Sequence, residues 1–110
     1  MRFLKIGLLL AVSALPSAAT QPSPKPPVAV VTIENFRFAP AEVTVPAGSV
    51  VKWVNKDDVP HTATAKGRDA AFDSSTLDTD DAFAFEFKQP GVYSYYCKVH
   101  PHMTGKVIVK

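Results

Sequence analysis

The chain has 110 residues, with 12 basic and 10 acidic side chains, a formal net charge of +2 and 46% hydrophobic residues. This length supports one small domain, and the weak charge argues against nucleic-acid binding or bulk attraction to anionic membranes. A single cysteine, Cys97, excludes an intramolecular disulfide.

The N-terminus has the order of a secretory signal peptide. Arg2 and Lys5 precede an apolar run over residues 6–15, and small residues follow at Ser17 and Ala19. A membrane anchor is the alternative, but the run is well short of the ~20 apolar residues that a span needs. We therefore predict export with cleavage after Ala19. Cleavage there would leave a neutral mature domain with ten basic and ten acidic side chains.

A proline-rich segment, residues 20–27, predicts an extended spacer before a folded domain over residues 28–110. Short strand signals separated by proline and glycine turns fill that domain. In chain order, the predicted strands are Val28 to Ile33, Glu42 to Val45, Ser49 to Asn55, Phe83 to Phe87, Tyr93 to Cys97 and Lys106 to Val109. The first is a continuous apolar run, which predicts a fully buried strand. Several short strands of this kind predict an all-β sandwich.

The stretch from Lys66 to Asp81 lacks periodicity and is rich in Asp, Ser and Thr. We predict a surface loop here, with room for a short helical turn. Two acidic pairs, Asp57-Asp58 and Asp80-Asp81, are interpreted as solvated loop charges and not as a catalytic dyad.

Metal-binding chemistry is concentrated between Cys97 and Met103. Cys97, His100 and Met103 are each three residues apart, and His61 lies upstream after a proline. Two histidines, one cysteine and a weak axial methionine are the donors of a blue-copper electron-transfer site. Separately, a lone cysteine or methionine is usually core filler and His61 could lie on the surface, but the combination favours a metal site.

His102 is a second candidate in the same loop. It would compete with His100 as a ligand, but adjacent side chains seldom point to one atom, and His102 precedes Met103 directly. We therefore place His100 in the predicted site and His102 at its rim.

With these residues in place, residues 28–110 resemble a cupredoxin, most closely the amicyanin, pseudoazurin and plastocyanin branch. Four segments carry the resemblance: Val51 to Asn55, Pro60 to Thr62, Gly91 to Cys97 and His100 to Val107. Cys-x2-His-x2-Met is the short ligand loop typical of amicyanins, whereas plastocyanins place the methionine further from the histidine and azurins place the histidine further from the cysteine.

The resemblance implies an eight-stranded Greek-key sandwich that binds one copper ion, cycling between Cu(I) and Cu(II). It implies that His61, Cys97 and His100 are equatorial ligands and that Met103 is the long axial ligand. It also implies a monomeric periplasmic electron carrier, not an enzyme, whose redox partners dock near His100. Two positions depart from the pattern. Thr62 replaces the Asn that many relatives have and could still tie the ligand loops together, and His102 replaces an apolar residue of amicyanins.

Two other functions use the same donors. A copper-trafficking or resistance protein would bind the ion without shuttling electrons, and the extra donor His102 favours that alternative slightly. A structural zinc domain would also use Cys and His but would be colourless and redox-silent. Reversible electron exchange separates the electron carrier from both.

Overall fold

The computed structural model describes residues 25–67 and 70–110. The predicted signal peptide, residues 1–19, and most of the spacer lie outside these ranges. The last three spacer residues, 25–27, are exposed irregular chain, and Lys25 Nζ contacts Glu86 Oε2 at 2.6 Å. None of the described residues belongs to a helix with the length and hydrophobicity that a membrane crossing requires.

Within residues 25–67 and 70–110, eight strands form two four-stranded sheets, so the predicted all-β sandwich is confirmed. The strands are β1 (Ala29–Ile33), β2 (Phe38–Ala39), β3 (Glu42–Val45), β4 (Ser49–Asn55), β5 (Thr64–Ala65), β6 (Ala82–Phe87), β7 (Gly91–Tyr96) and β8 (Thr104–Val109). One sheet has the order β2-β1-β4-β6 and the other β3-β8-β7-β5. The pairs β1–β4 and β3–β8 are parallel and the remaining pairs are antiparallel. The chain therefore crosses between sheets repeatedly, and the ends of β4 and β7 carry the loops of the predicted site.

The core lies between the sheets and is centred on Trp53, which is fully buried. Its indole lies within 5.2–6.3 Å, centroid to centroid, of four other aromatic rings: Phe72, Phe83, Phe87 and Tyr95. Strand β1 alternates instead of being buried throughout as predicted. Val31 and Ile33 are fully buried while Val30 is 48% exposed, because only one face of the sheet is covered by the other sheet.

The prediction of a surface loop from Lys66 to Asp81 is wrong in part. The described residues of this stretch contain no helical turn, but Phe72 and Leu77 are buried in the core. Isolated bridges also join Leu77 to His61 and Asp73 to Thr64. Two apolar residues among many polar ones are too few to create a periodic signal, although they are enough to anchor the segment.

Candidate metal centre

The loop after β7 folds back on itself and brings its donors together. Cys97 follows the strand directly and its side chain is fully buried. The Cys97 N–H donates to the Met103 carbonyl at 3.1 Å, and the Met103 N–H donates to the His100 carbonyl at 2.9 Å. Because these bonds close the loop within seven residues, Cys97 and His100 face one centre before β8 begins at Thr104.

His61 reaches that centre from the loop after β4. Its backbone pairs with Leu77 in both directions, at 3.1 and 2.8 Å, and its ring is fully buried. The ring Nε2 lies 2.7 Å from Asp57 Oδ2, so Nε2 carries the proton toward the carboxylate and Nδ1 is left free for the centre. A metal-binding histidine held by a carboxylate in this way has a fixed ring orientation and tautomer.

The donor distances fit one metal ion. The Cys97 sulfur lies 3.7 Å from His61 Nδ1 and 3.8 Å from His100 Nδ1, and the two nitrogens are 3.2 Å apart. With the metal–sulfur and metal–nitrogen distances of zinc sites, about 2.3 and about 2.05 Å, trigonal donors lie about 3.8 Å (S to N) and about 3.6 Å (N to N) apart. The observed triangle is close to this size, and His61, Cys97 and His100 therefore form a potential ligand group.

The other two candidates in the loop differ in burial. Met103 is only 3% exposed, whereas His102 is exposed and lies outside the potential ligand group. Met103 is thus a buried residue of the same closed loop as Cys97 and His100. Exposure of His102 agrees with its predicted place at the rim.

Thr62 ties the two ligand loops together, as the sequence suggested. Its hydroxyl accepts a hydrogen bond from the Lys98 N–H at 2.9 Å, and its own N–H donates to the Cys97 sulfur at 3.3 Å. The hydroxyl also lies 2.9 Å from that of Thr64. An N–H donor to the sulfur stabilises negative charge on it, so Thr62 acts on the thiolate as well as on the loop geometry.

The interpretation of Asp57 as a solvated loop charge is wrong, although Asp58 is exposed as predicted. The Asp57 side chain is 11% exposed and accepts hydrogen bonds from two backbone N–H groups and from His61. Burial opposes ionisation of this carboxyl, but the hydrogen bonds from Phe36, His61 and Asn35 outweigh it and lower the pKa of Asp57. Short acidic pairs in loops do not reveal such partners, because the partners lie elsewhere in the sequence.

Asn55 supports the same loop and was not predicted as a functional residue. Its fully buried amide donates to the Val59 and Leu77 carbonyls, both at 2.9 Å, and its side-chain oxygen accepts from the Asp57 N–H at 2.9 Å. The loop that carries His61 is thus fixed by one side chain at the end of β4. The sequence feature that could have identified Asn55 is its place as a polar residue at the end of a buried strand.

Phe36 was also missed. It lies between β1 and β2, is 49% exposed, and packs edge to face against both imidazoles. The ring centroids are 5.5 Å from His61 and 5.0 Å from His100.

This fold and this donor group agree with what is found in known proteins. The family model described as the cupredoxin-like domain matches residues 5–109. The chain belongs to the cupredoxin-like family. Amicyanins and plastocyanins are among the proteins similar to this chain, which confirms the predicted resemblance to that branch. The prediction that its cofactor is copper is confirmed by the family together with the His61, Cys97 and His100 group.

Amicyanins are prominent among those relatives. The amicyanin of Paracoccus versutus is 42% identical over 85 residues, which cover 74% of this cupredoxin and 64% of that protein. Amicyanin-alpha of Methylorubrum extorquens is 33% identical over 110 residues, covering 97% and 85%. The cupredoxin thus spans a little under two thirds of the Paracoccus versutus protein.

Solved structures give the same result. An amicyanin variant in the Cu(I) form superposes with a TM-score of 0.70 at 27% identity, covering 74% of this cupredoxin and 80% of that chain. A purple cupredoxin from Nitrosopumilus maritimus superposes with a TM-score of 0.69 at 32% identity, covering 74% and 99%.

Proposed function

We propose that this cupredoxin is a type 1 copper protein that carries single electrons between redox proteins and is not an enzyme. In this proposal His61, Cys97 and His100 are the equatorial ligands and Met103 is the long axial ligand. The observation that carries it is the fixed triangle of two imidazole nitrogens and one sulfur, held by hydrogen bonds from both ligand loops.

Bound copper would supply a one-electron couple, because Cu(I) favours sulfur and Cu(II) favours nitrogen, and this donor set offers both. The protein supplies rigidity. Asp57 fixes the ring of His61, the Leu77 backbone fixes its main chain, and Thr62 fixes the spacing between the loops. Donors held by these hydrogen bonds need little movement when the oxidation state changes.

The route for electrons is set by burial. His61 and Cys97 are fully buried, whereas His100 is half-buried and is the donor nearest to solvent. We therefore place the docking of redox partners at the His100 edge. The protein is proposed to act as a monomer in the periplasm, exported by residues 1–19, because the order of charged, apolar and small residues there is that of a secretory signal peptide.

Copper trafficking is the second candidate, and exposure of His102 favours it. A surface imidazole next to a buried methionine ligand could take part in handing an ion to another protein. Such a role needs a site that opens, whereas the two ligand loops are closed by hydrogen bonds, which favours retention of the ion.

Two measurements on the copper-loaded full chain separate these functions. An electron carrier gives a reversible voltammetric wave and fast electron self-exchange, and both persist in His102→Ala. A trafficking protein transfers copper to a competing chelator much faster than it exchanges electrons, and His102→Ala slows that transfer. Slow or irreversible redox cycling in the wild-type protein would contradict the electron-carrier proposal.

A further inference from the structure

The turn between β1 and β2 has an unusual conformation for its sequence. Asn35 and Phe36 have φ angles of 56° and 57°, and backbone hydrogen bonds join Glu34 and Arg37 in both directions, at 3.0 and 3.3 Å. Two central residues with positive φ define the type I′ hairpin turn, which favours Asn followed by Gly. Asn35 suits its position. Phe36 occupies the position of the glycine, where a bulky side chain is strained.

One carboxylate holds this turn. Asp57 Oδ1 accepts the Asn35 N–H at 2.7 Å, and Oδ2 accepts the Phe36 N–H at 3.0 Å. The same Oδ2 atom lies 2.7 Å from His61 Nε2. The main chain of Asp57 is itself fixed on both sides of its Cα, since its N–H donates to the Asn55 side chain and its carbonyl accepts from the Thr79 hydroxyl.

The turn held by Asp57 places the Phe36 ring against both imidazoles. It stands perpendicular to both imidazoles, at interplanar angles of 88° to His61 and 90° to His100. The Phe36 ring thus contacts both imidazoles although 49% of the residue is exposed. A strained residue that presents an apolar ring to both ligands is poorly explained by turn formation alone, since glycine would form the turn without strain.

We propose that Phe36 is a cover over the His61–His100 side of the metal centre, and that Asp57 is the positioning residue that locks this cover to the His61 ring. The cover limits the approach of small solutes, such as chelators, anions and thiol reagents, to the donors. The role of the cover toward a bound ion rests on the proposed copper site, but its role toward the bare donors does not.

The decisive variant is Phe36→Gly, because glycine removes the ring and also suits the φ of 57°. The apoprotein should keep or gain stability to urea. Cys97 is fully buried, so its alkylation by iodoacetamide reports access to the donors. We expect alkylation at least about tenfold faster in Phe36→Gly, since thiol reactivity follows access. Val30→Ala, which shortens an apolar side chain of equal exposure on β1, is the control and should react at the wild-type rate.

Asp57→Asn tests the positioning role. The variant should accelerate alkylation in the wild-type background and add nothing in the Phe36→Gly background, because it acts through the same ring. Imidazole ¹⁵N shifts of the apoprotein should show one tautomer of His61 in the wild type and a mixture in Asp57→Asn. Additive acceleration in the double variant would overturn the link between Asp57 and the cover.

A second test of the cover uses the copper-loaded protein. Removal of Cu(II) by EDTA should be faster in Phe36→Gly than in the wild type or Val30→Ala. Alkylation of apo Phe36→Gly at the wild-type rate overturns the cover, whatever the protein binds. Faster alkylation in a chain that forms no copper–thiolate absorption upholds the cover and contradicts the proposed function.

Discussion

Replacing Thr62 with Val should loosen the connection between the two ligand loops while preserving the shape of the side chain. The hydroxyl accepts the Lys98 N–H at 2.9 Å and contacts the Thr64 hydroxyl at 2.9 Å, and Thr62 itself is 4% exposed. Valine removes the acceptor but not the Thr62 N–H, so the hydrogen bond to the Cys97 sulfur can persist. The perturbation therefore isolates the link between the loops.

The expected loss of stability follows from the Lys98 N–H, which is left without its acceptor in Thr62→Val. A buried donor without an acceptor costs about 1–3 kcal/mol, and the lower half of this range, about 1–2 kcal/mol, suits the partly buried Lys98 N–H. With an m-value of about 1 kcal/mol/M, the urea midpoint of the apoprotein should fall by about 1–2 M. The assay is urea unfolding of metal-free protein followed by the fluorescence of the single tryptophan, Trp53.

Thr44→Val is the matched control, because Thr44 lies on β3 with its side chain exposed. The control should change the free energy of unfolding by less than about 0.5 kcal/mol. Should Thr62→Val lose no more stability than Thr44→Val, the hydroxyl would not be a structural link, and the explanation of how Thr62 serves in place of Asn would be refuted.

Three further predictions concern stability, each measured by urea unfolding of the apoprotein. Gly105→Ala should cost about 1–3 kcal/mol, because the new Cβ would collide with the Tyr95 ring, 2.8 Å from its Cε1; an unchanged midpoint would show that the ring moves freely. Asn55→Ala should cost at least about 3 kcal/mol, since one buried and two partly buried hydrogen bonds are lost, and a loss below about 1 kcal/mol would contradict its role as loop anchor. The Lys98 ammonium holds the pKa of Asp73 below its ordinary 3.8, so their pairing stabilises the fold above pH 3.8 and this stability is lost as the pH falls through the lower folded-state pKa. Asp73→Asn should flatten that acid-induced loss, and an identical pH profile would refute the assignment.

The sequence predicted the long strands well and the short ones not at all. Ser49 to Asn55 and Glu42 to Val45 are strands at the predicted bounds, because β-branched residues and flanking turns mark them. Strands β2 and β5 have two residues each, which is too short for an alternating pattern. They form because their neighbours in the sheets offer free hydrogen-bonding edges, and that is information from the tertiary structure.

The sequence predicted the His61, Cys97 and His100 group that the fold brings together, but not the residues that hold this group in place. Spacing alone marked Cys97, His100 and Met103, since copper donors of different chemical type seldom fall so close together by chance. The hydrogen bond that His61 donates to Asp57 joins residues four apart in a loop without a regular period. Phe36 lies in the turn between β1 and β2, and His100 lies in the loop between β7 and β8. Because these residues are far apart in the sequence, no local pattern encodes their contact.

An anaerobic titration of the apoprotein with Cu(II), followed by visible absorption, tests the central claim most directly. We expect an intense blue thiolate band that saturates at one equivalent, disappears on reduction and is absent in Cys97→Ala. Binding without this band, or the same band in Cys97→Ala, would contradict a site built from His61, Cys97, His100 and Met103.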